Sequence, residues 1–537
     1  MDNQPTQIKD TLERFDYRDS ELVIGVVCAV GTDYRPVAKS IECILARYSY
    51  STQIIKVSGL IEKLTDQTLD DSSEISRIST RMDAGNHACQ ETGQHDIWAL
   101  AAIAEISRRR PELEPLPRTA HIILSLKRPA EVATLRKVYG CGFYLVGVFA
   151  TEQERLDYLI EQNAPKLDAL ELIRRDAEEP RLEYGQHTRD TFQLSDVFVQ
   201  YKETAYEEEL DRFFALVFSH PHITPSQNEH GMFLAYASSL RSGQLGRQVG
   251  AAVLSADGDL LAVGCNDVPK PGGGLYWPGQ KDQRDHVLGY DTNDRQRDRI
   301  ASQLATIVTE FDESAIKTGE KDILKVLEEF VPHGQAEAAV AKIRALQVQA
   351  AEARKVRVQP RFRSTLDITE YGRAVHAEMD ALLMCARSGV SPKGAVLYVT
   401  TFPCHNCTRH LIAAGIQRVY YIEPYAKSRA EELHEDAIVV EDRVRKRTKQ
   451  KGWRVPFIPF VGIGPRRYFD LFSMSLSSGH ELIRKVSGVT FPIEQKSGIV
   501  RTPMSPFSYI QREALAVEGL DLIPGQQLRL DMTSDEV

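Results

Sequence analysis

His376-Ala377-Glu378 and, beyond a gap of 24 residues, Pro403-Cys404-His405-Asn406-Cys407 decide how this chain reads. A catalytic zinc ion takes three protein ligands and keeps a fourth position open for water. His376, Cys404 and Cys407 make such a set. Glu378 lies two residues past the histidine, is not needed as a ligand, and is free to carry protons.

The flanking sequence supports this division of labour. Apolar positions from Arg373 to Arg387, with Gly389 as the stop, predict a helix with His376 and Glu378 in its first turn. Ala395 to Val399 predicts a strand, which Pro403 breaks. Cys404 and Cys407 then open a second helix that ends near Gly415, and Arg418 to Ile422 predicts another strand. A thiol at a helix N-terminus faces the positive end of the helix dipole, which favours the thiolate that zinc requires. A thioredoxin-like redox pair would leave His376 and Glu378 without a role. A closed structural zinc would need a fourth ligand, for which His405 is the near candidate.

At 537 residues the chain exceeds one core, and 42% hydrophobic and 26% charged residues describe an ordinary globular protein. Eight cysteines are scattered singly apart from the Cys404/Cys407 pair, a reducing pattern that predicts a cytoplasmic protein. Met1 to Pro5 is polar and reads as no signal peptide, and no apolar run reaches the ~20 residues of a membrane span. The net charge of −9 argues against a sequence-blind nucleic-acid binder. Basic runs at 108–110, 354–363 and 443–451 read as solvated faces, with 443–451 the place where a phosphate or RNA would be met.

Residues 1–20 read as a mobile lead. Strands near 21–27, 54–57, 121–126 and 143–149 alternate with helices, which predicts a parallel α/β unit over 21–185. Residues 186–228 read as a linker or seam, although helices are expected from 211 and 233. A hairpin follows: Gln248 to Leu254, the Asp257-Gly258 turn, then Leu260 to Val263. It opens a second unit over 229–480 with a mixed sheet and an insert at 270–368. Residues 481–537 read as a C-terminal extension.

The pattern H-x-E…P-C-x-x-C is the signature of zinc nucleobase deaminases, and from about Gly231 to Ala437 the chain resembles the deoxycytidylate deaminase family. That resemblance implies zinc as cofactor, Glu378 as proton shuttle, and Asn266, in Gly264-Cys265-Asn266-Asp267-Val268-Pro269, on the substrate sugar. It also places the backbone at Ala377 on the pyrimidine edge. Ser125 to Pro129, Tyr139-Gly140 with Phe143, Glu423 to Ser428 and Phe460 to Tyr468 extend the likeness over nearly the whole chain. In that wider arrangement the chain is similar to bacterial anti-phage dCTP deaminases, which join an N-terminal P-loop kinase-like α/β domain to an α/β/α deaminase.

The wider resemblance implies free dCTP or dCMP as substrate, a homo-oligomer, and an inhibitory RNA or phage-derived trigger as partner. Candidate phosphate contacts are Arg247, Lys270, Lys427, Arg466 and Arg467. One departure is plain. Laid over Gly-x4-Gly-Lys-Ser/Thr, the chain reads Cys28-Ala29-Val30-Gly31-Thr32-Asp33-Tyr34-Arg35. Tyr34 stands where the phosphate-gripping lysine belongs and Arg35 where the magnesium-holding hydroxyl belongs. Asp33 adds repulsion, so phosphoryl transfer by this unit is not expected. Two other readings share parts of the pattern: a tRNA or single-stranded DNA cytidine/adenosine deaminase, and a nucleotide-responsive regulator.

Overall fold

The computed structural model describes residues 19–65, 69–111, 114–179, 182–201, 206–279, 281–296, 298–300, 372–423, 428–440, 454–475, 482–490 and 495–521. The expected mobile lead, most of the 270–368 insert, the basic run 443–451 and Lys427 lie outside these residues.

The first unit is a doubly wound sheet. Strands β1 (Leu22–Cys28), β2 (Ser51–Lys56), β3 (Thr119–Leu124), β4 (Phe143–Phe149) and β5 (Val197–Gln200) run parallel in the order β5-β4-β1-β3-β2. β1, LVIGVVC, is buried throughout, as expected of a central strand covered on both faces. One face packs helices Arg35–Arg47 and Tyr206–Val217 through Val37, Ile41, Leu45, Phe213 and Phe214. The other packs helix Ile97–Arg108 through Trp98, Ala102 and Ile106.

The second unit is a mixed sheet. β6 (Gly250–Leu254) and β7 (Leu260–Cys265) form the expected hairpin, and β6 pairs antiparallel with β8 (Val396–Thr401). β9 (Arg418–Glu423), β10 (Ile438–Val440) and β11 (Val455–Pro459) continue it in parallel, giving the order β10-β11-β9-β8-β6-β7. Helix Ala377–Ser388 packs on this sheet through Ala377, Ala381 and Cys385.

The residues read as a linker at 186–228 are instead structural. They supply β5 and the apolar face of helix Tyr206–Val217, so hydrophobic burial draws them into the first sheet rather than leaving them solvated. The units also exchange chain. β12 (Gly462–Ile463) leaves the second unit and pairs antiparallel with β5. Phe198 of the first unit packs with Met232, Tyr398 and Phe460 of the second, its ring 5.8 Å from that of Phe460 and edge-on. Glu229, buried, accepts from Arg212 and from the backbone N–H of Ile463 at 2.8 Å.

The residues read as a C-terminal extension also fold back. Helix Pro506–Asp521 brings Glu513 to Arg110, whose Nε and Nη2 donate to it at 2.7 and 2.8 Å. Arg110 also pairs with Glu21, which accepts from Tyr509 Oη at 2.8 Å and lies 2.8 Å from His121 Nε2. The side chains of Arg110, Glu21, Glu513 and His121 are fully buried.

Candidate metal centre

Two helix N-termini converge on the centre. Helix Ala377–Ser388 starts four residues after the Arg373 the sequence predicts, so His376 is its N-cap rather than part of its first turn, which Glu378 occupies. Cys404 is the N-cap of helix His405–Ala414, and its Sγ accepts from the backbone N–H of Cys407 at 3.4 Å. Extended backbone at His376 and Cys404 turns both side chains across the helix ends, and Gly389 and Gly415 close the helices in the left-handed conformation.

The hairpin sets the height of the first helix. A Cβ on Gly264 would lie 2.2 Å from the Ala377 carbonyl oxygen and 2.4 Å from Ala381 N, so only glycine lets β7 approach this closely. Asp380 Oδ2 accepts from Cys265 N at 3.3 Å. Just before the histidine, Val375 N donates to Asp267 O at 2.9 Å. Buried Asp267 in turn accepts from Gly243 N at 3.1 Å and from Arg284 Nη1 at 3.4 Å. Arg373 reaches Asp285 at 3.1 Å. The sequence reading missed Asp267, Arg284 and Asp285, since nothing in their local spacing marks them.

His376 Nδ1 lies 3.3 Å from Cys404 Sγ and 3.4 Å from Cys407 Sγ, and the three ligand atoms lie within 4.8 Å of one another. Tetrahedral zinc, with Zn–S near 2.3 Å and Zn–N near 2.0 Å, separates its nitrogen and sulfur ligands by about 3.5 Å. The donor set therefore fits zinc. Among the described residues no fourth histidine, cysteine or carboxylate joins the group. His405 is not part of the group, and its backbone carbonyl lies 3.3 Å from His434 Nε2.

The electrostatics differ between the ligands and Glu378. Cys404 is lowered to about 4, first by the hydrogen bond from Cys407 and then by His376. Glu378 is buried beside this cluster, and desolvation pushes its carboxyl up to about 6. A carboxyl near 6 can accept and return a proton at neutral pH.

The remaining candidates lie around the hairpin and the seam between the units. Asn266 Oδ1 accepts from Val249 N at 2.7 Å and its Nδ2 donates to Arg247 O at 2.8 Å, fixing the loop before β6. Arg247 is exposed and paired with Glu423. Lys270 closes a tight turn through its backbone, donating to Gly274 O at 2.9 Å. Arg466 is exposed, with its guanidinium 5.5 Å from the Tyr236 ring centroid. Arg467 corrects the reading as a phosphate contact. It is buried, donating to Asp196 Oδ1 at 3.1 Å and to Phe143 O at 2.6 Å, and so clasps the second unit to the first. Burial with three acceptors of its own, Asp470 being the third, leaves it nothing to offer a ligand.

Residues 225–423 match the family model of the cytidine and deoxycytidylate deaminase zinc-binding region. ComE operon protein 2 of Bacillus subtilis (strain 168) is 47% identical over 73 residues, 13% of this chain and 39% of that protein. Deoxycytidylate deaminase of Enterobacteria phage T4 is 42% identical over 55 residues, 10% of this chain and 28% of that protein. The Homo sapiens deoxycytidylate deaminase is 35% identical over 54 residues, 10% of this chain and 29% of that protein. The chain thus spans between 28% and 39% of the length of these relatives.

Among solved structures, the dCMP deaminase of cyanophage S-TIM5 in complex with dCMP and dUMP is 19% identical. That likeness covers 44% of this chain and 99% of that one, with a TM-score of 0.21, too slight to bear on function. Motif, metal geometry and family model agree: the chain carries a C-terminal cytidine/deoxycytidylate deaminase domain with a zinc-binding site.

Proposed function

We propose that the protein hydrolyses the 4-amino group of free deoxycytidine nucleotides, dCTP or dCMP, giving dUTP or dUMP and ammonia, and that draining dCTP serves antiviral defence. The observation that carries the hydrolytic reading is the pairing of a three-ligand Cys2His site with Glu378, a buried carboxyl that ligates nothing. Zinc held by His376, Cys404 and Cys407 would supply a Lewis acid that makes water a nucleophile near neutral pH.

Glu378 carries the protons. Ionised, its carboxylate takes one from the attacking water. Protonated, it delivers that proton to ring N3; it then takes the second proton, from the hydroxyl now on C4, and delivers it to the departing amine, so that water enters and ammonia leaves with no net change at the carboxyl. Burial near pKa about 6 suits both roles. Ala377, fully buried at the helix N-terminus, offers backbone to the pyrimidine edge, and Asn266 sits at the hairpin end where the sugar is read to lie.

The deoxynucleotide preference rests on the sequence resemblance, as does reading the first unit as a degenerate P-loop kinase-like domain. Its parallel sheet and the β1–turn–helix at Cys28 to Arg35 support the latter. Incubating dCTP, dCMP and a cytosine-containing single strand side by side and measuring ammonia tests the proposal. Free nucleotides should be consumed first. Preferential turnover of the oligonucleotide would move the reading to nucleic-acid editing.

A further inference from the structure

The first unit contains a cavity of about 490 Å³, within the size range of small-molecule sites. It lies beyond Cys28, Lys56 and Ser125, at the carboxyl ends of β1, β2 and β3. β1 has β3 on one side and β4 on the other, and open α/β sheets take ligands where the winding reverses in this way.

The arginines around the cavity are already paired. Helix Arg35–Arg47 would offer a phosphate its free N–H groups and positive end. Asp33 takes that place. Its Oδ1 accepts from Arg35 N at 3.2 Å and from Arg35 Nε at 2.7 Å, and its Oδ2 from Arg35 Nη2 at 3.0 Å. Arg77 is held by Glu74 through two bonds of 2.7 Å, and Arg81 by Glu62 and Asp71. Lys127 Nζ donates to Cys28 O at 2.6 Å. A phosphate at the helix end would meet the Asp33 carboxylate, and would have to displace carboxylates to gain Arg35, Arg77 or Arg81.

Hydrogen-bonding capacity is what the walls leave open. Thr32, Arg128 and Gln186 line the cavity at 6%, 3% and 7% exposure. Thr32 Oγ1, Arg128 Nε and Gln186 Oε1 have no partner among the described residues. Buried polar atoms are costly to leave unmet, and three around one cavity mark a place for a polar ligand. The set is one donor, one acceptor and one hydroxyl that serves as either, complementary to the edge of a heterocyclic base. Tyr34 and Tyr158 add aromatic surface to the same cavity.

We propose that this cavity is a second small-molecule site, separate from the zinc centre, that binds a neutral nucleoside and disfavours its phosphates. The proposal does not depend on the deamination reading.

The test uses the full-length, zinc-loaded chain carrying Glu378→Gln, so that no probe is consumed. Calorimetric titration with adenosine, guanosine, 2′-deoxycytidine and thymidine is compared with their 5′-monophosphates. At least one nucleoside should bind at one per chain, about tenfold or more tighter than its monophosphate. Thr32→Val and Gln186→Leu remove atoms that bond nothing in the free protein. Each should leave the melting temperature in place and weaken that nucleoside about tenfold. Asp33→Asn should vacate the helix end and bring the monophosphate's affinity up toward the nucleoside's. Binding indifferent to Thr32→Val and Gln186→Leu would assign the signal to the zinc centre and overturn the proposal. Tighter binding of monophosphates than nucleosides, or no nucleoside binding at millimolar concentration, would overturn it as well.

Discussion

The two units handle buried charge in opposite ways. At the zinc centre, two cysteines, an imidazole and a carboxyl are packed with no arginine or lysine paired to them among the described residues, and the Glu378 carboxyl is pushed up to about 6 by burial. At the Cys28 to Arg35 turn, Arg35 is tied to Asp33 and nearby Arg77 to Glu74. Reactive chemistry needs groups whose charge is not yet satisfied, and the arginines at this turn are already tied. The difference separates a site built to turn over from one whose remaining capacity is hydrogen bonding.

The strongest way to break this contrast is at Glu378. Glu378→Ala should fold, retain zinc and lose deamination by about 10²–10⁴ or more, since the residue serves several proton transfers. Near-normal turnover would mean the proton carrier has been misassigned. Cys404→Ala should drop bound zinc from one per chain to none by metal analysis of the purified protein. Stoichiometric zinc in that variant would sink the ligand set.

A second pair of experiments sharpens the contrast on the structural side. Glu513→Ala leaves Arg110 buried with one carboxylate fewer, and removing one partner of a buried pair costs about 3–5 kcal/mol. Denaturant unfolding should show it, and an unchanged midpoint would mean the terminal helix is not part of the core. The pH dependence belongs to Glu21. Burial raises its carboxyl, but hydrogen bonds from His121 and Arg110 outweigh this and hold it at about 2. Glu513, sharing the same arginine, is pushed up by burial instead. Glu21 also accepts from Leu116 N at 2.7 Å and from Tyr509, so its ionised form is the better held. Its contribution is present above about 4.5 and is lost as pH falls toward about 2. Glu21→Gln should flatten the unfolding midpoint's dependence on pH in that window, and an unaltered profile would assign the acid transition elsewhere.

The smallest expected effect is none. Tyr34→Lys should create no magnesium-dependent phosphoryl transfer, because Arg35 still denies the metal a hydroxyl and Asp33 still occupies the helix end. Robust hydrolysis of ATP by the unaltered protein would erase the difference between the units.

The metal ligands and the strands around them were legible because their signal is local. A histidine, a glutamate and two cysteines announce themselves within a few residues, and β4 falls at 143–149 as read. Helix Glu74–Thr92 escaped notice because its sequence, EISRISTRMDAGNHACQET, dilutes the apolar period with serine, glycine and asparagine. The start of helix Gln227–Ser239 was there to be found in Ser226 and Glu229, which form a reciprocal cap. Arg467 and β12 could not be found in this way. Their partners, Asp196 and β5, lie more than 250 residues away, and no periodicity reports a contact at that distance.

The return of Glu513 to Arg110 has a consequence for biosynthesis. Domains are usually completed in the order in which they leave the ribosome. Here β1, β3 and Arg110 emerge early, but the carboxylate that completes their buried cluster, and the strand that borders their sheet, are made after the whole metal-binding region. The half that is translated first is the half that is finished last, so a chain released early would carry a complete set of zinc ligands on an unfinished scaffold.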